Sequence, residues 1–382
     1  MRFSELYTDL KKKLQFNKDN INIEKIPEED LKKLVQLCNS QERVSVYQQS
    51  KEGNILELGL ELKDEYPTEI IFEKLKILRI YKAMLTDTSF LTNYEDIEAL
   101  TLEYCGLIEV PDLSNQKNLT DLSFFGNKIK KIEGIDHLVR LEHLSFAYND
   151  IRKLEGLETF KNLISINLMA NKFSKLEGLE NLVNVELLGL EENPNLKGIE
   201  GLSHFKKAKE IGLSMCAIEE VNGLREFEGF NDLYFLTLWK NKITEFEVKV
   251  ILPKLRELSL RENKISRVKL DGNLPSLEEL DLNENGINEI EGISNLPNLR
   301  RLNLDENKFT KLENLSNLPR LTHVSIHQTP VKTVKNIELP EGCWIHSFLI
   351  ERFTEEERKE LDQQLKLLGL RPDWMRSRDY WD

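Results

Sequence analysis

Histidines and cysteines are the side chains with which this sequence could bind a metal ion or supply a nucleophile. The closest pair of its six histidines, His323 and His327, falls on one expected strand about 13 Å apart, too far to share a metal ion. No Cys-x-x-Cys pair, glycine-rich phosphate loop, Gly-x-Ser-x-Gly or His-Glu-x-x-His motif is present. The sequence therefore predicts a protein that is not an enzyme and holds neither a metal ion nor a cofactor.

A sequence repeat places apolar residues at regular intervals, and such residues can bury apolar surface against a partner. The pattern Leu-x-x-Leu-x-Leu-x-x-Asn recurs about every 22 residues, as at Leu119, Leu122, Phe124 and Asn127. Strand side chains alternate between faces, so the leucines are expected to point inward and the intervening residues outward. One copy, or rung, cannot bury its apolar face alone, and stacked rungs bury it against each other. The central strand residues of twelve rungs are Leu78, Leu100, Leu122, Leu144, Ile166, Leu188, Ile211, Leu236, Leu258, Leu280, Leu302 and Val324.

Asparagine and glycine recur where each rung turns. The ninth-position Asn is expected to point inward and to satisfy loop N–H and C=O groups that would otherwise be buried without a partner. Glycines recur on the return path, where a sharp turn favours a positive φ. The asparagines are Asn127, Asn149, Asn171, Asn193, Asn241, Asn263, Asn285 and Asn307, and the glycines are Gly134, Gly156, Gly178, Gly201, Gly223 and Gly292.

Each of the four cysteines occupies a position where a small buried residue is expected. Cys105 and Cys216 replace the ninth-position Asn. Cys343 takes the first leucine position of a further rung, and Cys38 lies on the apolar face of an expected helix. Free cysteine behaves as a small apolar residue, so the pattern predicts buried thiols rather than disulfides, metal ligands or nucleophiles.

The repeat divides the chain into an array with a cap at each end. Residues 1–54 are expected to form an N-terminal cap of two helices and a hairpin, and residues 55–350 the array of 12–13 rungs. Residues 351–382 are expected to form a capping helix and an aromatic tail, which either docks on the cap or offers a motif to a partner. Caps are needed because an open end exposes both apolar surface and a strand edge.

Local signals place the elements at the two ends. Helical spacing predicts a first helix over 3–14, and Pro27 predicts the start of a second. Leu56 lies 22 residues before Leu78 and is expected to open an imperfect first rung. The second helix is expected to bury Leu31, Leu34, Val35 and Cys38, the thirteenth rung to run through Cys343, His346 and Phe348, and the last helix to begin at Thr354.

The net charge and the hydropathy pattern limit the classes of molecule that this protein is expected to bind. The formal net charge is −13, which disfavours a nucleic-acid backbone or an anionic membrane. No apolar run is long enough to span a membrane, and the first residues do not resemble a signal peptide. We therefore expect a cytoplasmic protein with a protein partner.

The outward residues of the strands predict where that partner binds. Residues directly after the central position are mostly small, which leaves room in a groove. An aromatic and apolar zone of about nine side chains in adjacent rungs is the kind of patch that marks an interface. An acidic zone follows and is expected to attract a basic segment of the partner. The predicted partner-binding residues are Tyr81, Tyr104, Phe125, His143, Tyr148, Met169, Leu187, Met215, Phe235, Trp239, Glu257, Arg261, Glu279, Asp281, Arg301 and Asp305.

The repeat resembles a known family. The sequence Asn-x-Ile-x-x-Ile-Glu-Gly-Ile/Leu, as at Asn127–Ile135, Asn149–Leu157 and Asn285–Ile293, resembles the 22-residue subclass of leucine-rich repeats, typified by a regulatory subunit of protein phosphatase 1. The resemblance implies an α/β leucine-rich-repeat solenoid. Such a solenoid has a curved parallel sheet on its concave face, turns and short 3₁₀ segments on its convex face, and helical caps.

Together these observations predict a non-catalytic scaffold, monomeric when free, that binds a protein on its concave sheet. The alternative is a regulatory subunit that modulates a bound enzyme, such as a protein phosphatase or a GTPase.

Overall fold

The computed structural model describes residues 15–16, 21–22, 25–41, 43–62, 65–67, 69–271, 273–313, 315–335, 339–340 and 343–346. The chain falls into two compact units, Met1–Val185 and Glu186–Asp382. The helix predicted over 3–14 lies outside the described residues, as do Phe348 and the predicted capping helix and aromatic tail of 351–382. The domain boundaries at 54 and 350 stay predictions.

The first unit begins with a helix and a hairpin. Helix α1 (Glu28–Ser40) starts directly after Pro27, one residue later than predicted, and carries three acidic residues in its first turn, where the helix dipole favours negative charge. Leu31 and Leu34 are buried as predicted. Leu37, which the predicted apolar stripe missed, is also fully buried, whereas Val35 and Cys38 are only partly buried.

Among the described residues of the first unit, eight strands form a sheet. Strand β1 pairs in parallel with β2, β2 and β3 form an antiparallel hairpin, and β3 to β8 run parallel. The strands are β1 (Gln15–Phe16), β2 (Arg43–Gln49), β3 (Ile55–Glu61), β4 (Ile77–Tyr81), β5 (Ala99–Glu103), β6 (Asp121–Ser123), β7 (His143–Ser145) and β8 (Ser165–Asn167). The predicted first rung is out of register, because Leu58 and not Leu56 pairs with Leu78. Paired residues of β3 and β4 are therefore 20 residues apart along the chain, two fewer than in the 22-residue repeat.

The described residues of the second unit likewise contain eight strands that form a parallel sheet. They are β9 (Leu187–Gly189), β10 (Glu210–Gly212), β11 (Phe235–Thr237), β13 (Glu257–Ser259), β15 (Glu279–Asp281), β17 (Arg301–Asn303), β19 (His323–Ser325) and β21 (Trp344–His346). Strand β21 supplies the predicted thirteenth rung, but Val324 pairs with Ile345 rather than with His346. The last turn of chain is thus one residue shorter than 22.

The return path of the rungs contains short 3₁₀ segments, as predicted, together with strands that the sequence did not predict. The 3₁₀ segments are Ser89–Asn93, Leu202–His204, Asn222–Phe227 and Ile293–Asn295. Strands β12 (Glu245–Val248), β14 (Arg267–Leu270) and β16 (Glu289–Glu291) form a second parallel sheet, and β18 (Lys311–Glu313) pairs with β20 (Thr333–Lys335). Phe246 and Val248 point inward and Glu245 points outward. This alternation stabilises a strand at a position where the chain turns in other rungs.

The core of each unit consists of the inward strand positions. All twelve predicted central residues are at most 3% exposed. Phenylalanines fill the space between them, and the rings of Phe124 and Phe146 lie 5.2 Å apart in adjacent rungs. The predicted spine is confirmed, since successive rungs cover each other's apolar side chains.

The recurrent asparagines bond the loops of adjacent rungs. The Asn149 side chain donates to the backbone oxygens of Phe124 and Phe146 at 2.8 and 3.1 Å and accepts from the N–H of Ile129 at 3.0 Å. Cys105 and Cys216 replace this residue, and their thiols face backbone oxygens at 3.4–3.6 Å. Thr329 occupies the same position in the rung of β19 and donates to Ile326 O at 2.6 Å.

Candidate protein-binding face

The outer face of each sheet is formed by residues that point away from the core. Its floor consists of the small residues directly after the central positions, and in the first unit these include Thr101, Ser123, Ser145 and Asn167. Thr101 is only 6% exposed. As predicted, a row of small residues forms the floor of a groove, and larger side chains lie beside it.

Three aromatic residues of consecutive rungs meet on the outer face of the first unit, and we call Tyr104, Phe125 and Tyr148 the aromatic row. The ring centroids of Tyr104 and Phe125 lie 5.3 Å apart at an interplanar angle of 74°. Those of Phe125 and Tyr148 lie 5.0 Å apart at 46°. Tyr104 is 51% and Tyr148 41% exposed, so the two tyrosines project on either side of the more buried phenylalanine.

Backbone geometry raises the two tyrosines above the sheet. Tyr104 and Tyr148 have φ angles of 54° and 56°, in the left-handed region, and Gly126 occupies the equivalent position between them at 72°. A Cβ atom at Gly126 would lie 2.6 Å from two atoms of the Tyr104 ring. Left-handed backbone costs a non-glycine residue about 1–2 kcal/mol. The stacked rungs impose this turn before every ninth position, and glycine makes room for the Tyr104 ring.

The outer face of the first unit extends beyond the aromatic row. Tyr81 is half-buried beside Arg79, whose guanidinium donates to Glu57 at 2.9 Å. Tyr47, which the sequence analysis missed, lies on the hairpin with its ring over Gly59. The residue paired with Gly59 is Ser45, and Tyr47 lies at a register shift between Val46 and Gln48, which the sequence does not reveal.

Two carboxylates accompany the aromatic row. Glu103 accepts a hydrogen bond from Ser123 Oγ at 3.1 Å, and Asp121 accepts one from Thr120 Oγ1 at 2.7 Å. Within the described part of the chain, neither forms an ion pair with a lysine or an arginine. His143 is exposed on the next strand and Met169 is partly exposed. The face therefore combines an apolar row with two carboxylates that form no ion pair with a described lysine or arginine.

The outer face of the second unit carries the remaining predicted apolar residues. Leu187 is 39% exposed, whereas Met215, Phe235 and Trp239 are partly buried. The ammonium group of Lys240 lies 6.0 Å from the Trp239 ring centroid, at the limit of a cation–π contact. Of the aromatic zone predicted from Tyr81 to Trp239, these residues belong to the second unit and the others to the first, and the role of the zone in binding stays a prediction.

One exposed tyrosine of the second unit was not predicted. Tyr234 is 38% exposed, and its hydroxyl donates to the carboxylate of Glu210. It precedes strand β11 by one residue, outside the positions read as outward-facing. Residues flanking the short strands can therefore also contribute to the face.

The predicted acidic zone is present, but its two arginines are already engaged. Arg261 lies 3.0 Å from Glu262, and Arg301 pairs with Glu279. These arginines neutralise neighbours within the zone. Glu257 is exposed on the adjacent strand.

The carboxylates of this zone are crowded, and they outnumber its arginines. Glu262, Glu284 and Glu306 occupy successive left-handed positions. Burial raises the pKa of Glu284, and the charges of Glu262 and Glu306 raise it further. Burial also raises the pKa values of Asp281 and Asp305. Repulsion between like charges gives this surface an affinity for cationic groups.

The cysteines have the chemistry of apolar residues. All four are free, and Cys105, Cys216 and Cys343 are buried, whereas Cys38 is only partly so. Burial raises the pKa of the Cys105 thiol to about 12 and those of Cys216 and Cys343 to about 11. The thiolate is the nucleophile, so these three thiols are unreactive at neutral pH.

The described residues lack the features that a metal ion or a membrane requires, and they line a charged cleft. Among them, no group of three or more His, Cys, Asp or Glu residues could hold a metal ion, and no helix is long and apolar enough to cross a bilayer. A cleft of about 470 Å³ opens on the return side of the second unit between Glu219, Arg225, Glu245 and Lys249. Its lining is mostly charged, unlike the apolar pockets that usually bind small molecules.

Comparison with known proteins agrees with this geometry. Residues 253–298 match the family model described as leucine-rich repeats in two copies. A leucine-rich-repeat protein of Leptospira interrogans is similar over 85% of this chain and 83% of its own, with a TM-score of 0.59 and 21% identity. The fold is a leucine-rich-repeat solenoid. An internalin of Listeria monocytogenes, also 21% identical, matches this solenoid over 86% of the chain and 87% of its own, with a TM-score of 0.54.

A third solved structure contains a bound factor. The leucine-rich-repeat ectodomain of a plant membrane receptor kinase from Arabidopsis thaliana, in complex with Casparian strip integrity factor 2, is 18% identical with a TM-score of 0.54. The match covers 82% of the present solenoid and 48% of that chain. No curated protein matches the sequence. At these identities the comparisons concern the fold and leave the phosphatase-regulator subclass a prediction.

Proposed function

We propose that this protein is a non-catalytic scaffold that binds a protein partner on the outer face of its sheet. The observation that carries the proposal is the aromatic row. Tyr104 and Tyr148 are exposed, and their rings contact Phe125 in edge-on and tilted arrangements that have no evident role in the core. Exposed aromatic clusters are enriched at the centres of protein interfaces.

The solved relatives support a protein as the ligand. The plant ectodomain was solved with a factor bound, and the repeat fold offers a similar long sheet here. The acidic zone of the second unit supplies a surface for a basic segment of the partner. Its carboxylates increase the association rate with a cationic surface, an effect that salt weakens.

Affinity capture with the full chain tests this proposal. The parent protein, a Tyr104→Ala/Tyr148→Ala variant and a Val139→Ala control are each used as bait in an extract of the native cells. Val139 is 52% exposed in the first unit and lies outside the aromatic row, so its truncation matches the loss of exposed apolar surface. A partner retained by the parent and the control but lost by the double variant supports the proposal. Equal capture by all three contradicts it.

The same experiment separates the scaffold from the regulatory alternative. The activity of the captured partner is measured with and without a saturating amount of the protein. An unchanged activity favours the scaffold, and a change that requires Tyr104 and Tyr148 favours a regulatory subunit. The cytoplasmic location is likewise a proposal, which fractionation of the native cells tests.

A further inference from the structure

The carboxylate of Glu103 lacks the cation that the chain supplies to an equivalent carboxylate two rungs earlier. Glu61 pairs in register with Tyr81, and Tyr81 pairs with Glu103, so the three side chains occupy the same position of successive strands. The ammonium group of Lys82 donates to the Glu61 carboxylate at 2.8 Å. Glu103 is half-buried and forms no ion pair with a described lysine or arginine. Among the described residues, its carboxylate accepts a hydrogen bond only from the hydroxyl of Ser123.

A glycine explains why the chain supplies no cation to Glu103. Lys82 and Gly126 occupy the same left-handed position of their rungs, with φ angles of 51° and 72°. Each lies one rung after its carboxylate, so Gly126 has the place relative to Glu103 that Lys82 has relative to Glu61. Gly126 has no side chain, and a Cβ atom there would lie 2.6 Å from two atoms of the Tyr104 ring. An aromatic ring therefore takes the space into which a lysine side chain would extend.

Aromatic side chains of three successive rungs lie beside this carboxylate. The backbone N–H of Tyr104 donates to the backbone oxygen of Phe125 at 2.9 Å, so Glu103 and Tyr104 lie next to Phe125 of the following rung. The rings of Tyr104 and Phe125 are 5.3 Å apart, and Tyr104 is 51% exposed. On the opposite side, burial raises the pKa of Tyr81, Arg79 lowers it, and the negative charge of Glu103 raises it. A ligand that covers the aromatic row therefore also reaches Glu103.

This combination of groups selects among the side chains that a partner could place here. An apolar side chain would cover the Glu103 carboxylate without a compensating charge, which is unfavourable. A lysine ammonium supplies the charge but is strongly hydrated. An arginine guanidinium is planar and more weakly hydrated, and it can pack on aromatic rings while it donates to a carboxylate. The rings and the carboxylate together therefore favour arginine.

We propose that Glu103 and the aromatic row bind an arginine side chain of the partner. Its guanidinium donates to the Glu103 carboxylate and packs against the rings of Tyr104 and Phe125. The partner thus supplies the cation that Lys82 supplies to Glu61 within the chain. This inference rests on the proposed protein-binding function and specifies the chemistry of one anchor residue.

Small compounds test the site without knowledge of the partner's sequence. Acetyl-arginine methylamide, acetyl-lysine methylamide and uncharged acetyl-citrulline methylamide are titrated into the full-length protein, and NMR follows the tyrosine and phenylalanine ring signals, assigned with Tyr104→Phe and Phe125→Leu variants. We expect the arginine compound to shift the Tyr104 and Phe125 signals with a Kd at least threefold lower than that of the lysine compound. The citrulline compound should shift neither signal. No saturable shift from the arginine compound, or an equal Kd for lysine, overturns the proposal.

A charge variant tests whether Glu103 is the acceptor. Glu103→Gln keeps an oxygen for Ser123 and should fold like the parent, which denaturant unfolding checks. The Kd of the arginine compound should rise at least fivefold in this variant. Glu133→Gln, which neutralises an exposed carboxylate beside Gly134 on the return path, should leave it unchanged. Equal effects of the two substitutions would attribute binding to net charge and reject the proposed site.

A ring variant tests the preference for arginine over lysine. Tyr104→Leu keeps an apolar side chain but removes the ring, so the Kd of the arginine compound should rise at least threefold while that of the lysine compound changes less than twofold. A preference for arginine that survives this substitution would exclude the Tyr104 ring from the site and contradict the proposal.

Partner capture separates this inference from the proposed function. Capture that is weakened by Glu103→Gln as well as by Tyr104→Ala/Tyr148→Ala supports both. Capture that the tyrosine variant abolishes and Glu103→Gln leaves unchanged would keep the protein-binding function and reject only the arginine anchor.

Discussion

The side-chain oxygen of Asn171 accepts a hydrogen bond from the backbone N–H of Ile151, twenty residues earlier in the chain, at 3.0 Å. The amide nitrogen of the same side chain donates to the backbone oxygens of Phe146 and Leu168 at 2.8 and 3.0 Å. One buried amide thus bonds two successive rungs through groups that water does not reach. The stability of the solenoid depends on such bonds because the loops offer no regular secondary structure to satisfy them.

Replacement of this asparagine should destabilise the first unit. Asn171→Ala leaves the N–H of Ile151 without its acceptor and removes a hydrogen bond from each of the Phe146 and Leu168 carbonyls, and we expect a loss of about 2 kcal/mol in the free energy of unfolding. Asn181→Ala is a matched control, since Asn181 is exposed and bonds only the backbone oxygen of Glu158. Denaturant unfolding of both variants measures the difference. Equal losses would show that the buried position has no special role.

Alanine substitutions at Gly126 and Gly134 separate the effect of backbone strain from the effect of contact with the aromatic row. Gly126 and Gly134 have φ angles of 72° and 77°, so alanine costs either position about 1 kcal/mol through strain. A Cβ at Gly126 meets the Tyr104 ring, whereas a Cβ at Gly134 has no atom within 4 Å. We expect both variants to be destabilised but only Gly126→Ala to weaken binding of the partner. Calorimetric titration of the two variants checks this, and equal affinities would place the Tyr104 ring outside the interface.

The aromatic residues of the second unit should contribute to binding of the partner. Phe235→Ala and Trp239→Ala are expected to preserve the fold, since both side chains reach the outer face. At least one should raise the Kd of the partner about 30-fold, corresponding to about 2 kcal/mol. Ile251→Ala, which removes an apolar side chain that is 64% exposed, is the control. If all three variants bind like the parent, the interface does not include this part of the second unit.

Acidic pH should reduce the destabilisation that the buried carboxylate of Asp281 causes in the second unit. Burial raises the pKa of Asp281, so the folded state binds a proton more readily than the unfolded chain does. The contribution of this group to stability is therefore largest below the usual aspartate pKa and is lost as the pH rises through the raised value. Asp281→Asn should stabilise the protein at pH 7, and this gain should shrink as the pH falls below 4.

The exposed Asp136 provides the comparison for this prediction, because Asp136→Asn removes the same charge without relieving a buried carboxylate. Unfolding free energies are measured for both variants from pH 3 to pH 7. A similar gain for the two variants at pH 7 would attribute the effect to net charge rather than to burial of Asp281.

Alkylation should distinguish the four thiols. Burial raises the pKa of Cys105 to about 12 and that of Cys216 to about 11, so both should resist iodoacetamide at pH 8 in the folded protein. Cys38 is only partly buried and should react first. Mass spectrometry of timed samples orders the reactions, with an unfolded sample as the control. Early modification of Cys105 would contradict the rigid packing of its rung.

Much of the fold could be predicted because its interactions are periodic. Leu122 and Leu144 lie in adjacent strands and are buried, as the 22-residue spacing requires. The same spacing predicted the inward Asn171 and the positive φ of Gly156. The ends were less predictable. The turn between Leu58 and Leu78 departs from the common length, and a register read from spacing alone was two residues wrong.

The candidate face was predicted in composition but not in arrangement. The sequence alone determined that Tyr104, Phe125 and Tyr148 lie in neighbouring rungs on the outer side, because alternation along a strand decides which residues point outward. Only the tertiary structure decided that their rings touch and that the Tyr104 ring lies over Gly126. It also decided that Arg301 is already paired with Glu279. Such contacts depend on side-chain rotamers and on the left-handed turn that stacking imposes on non-glycine residues, and neither leaves a periodic signal in the sequence.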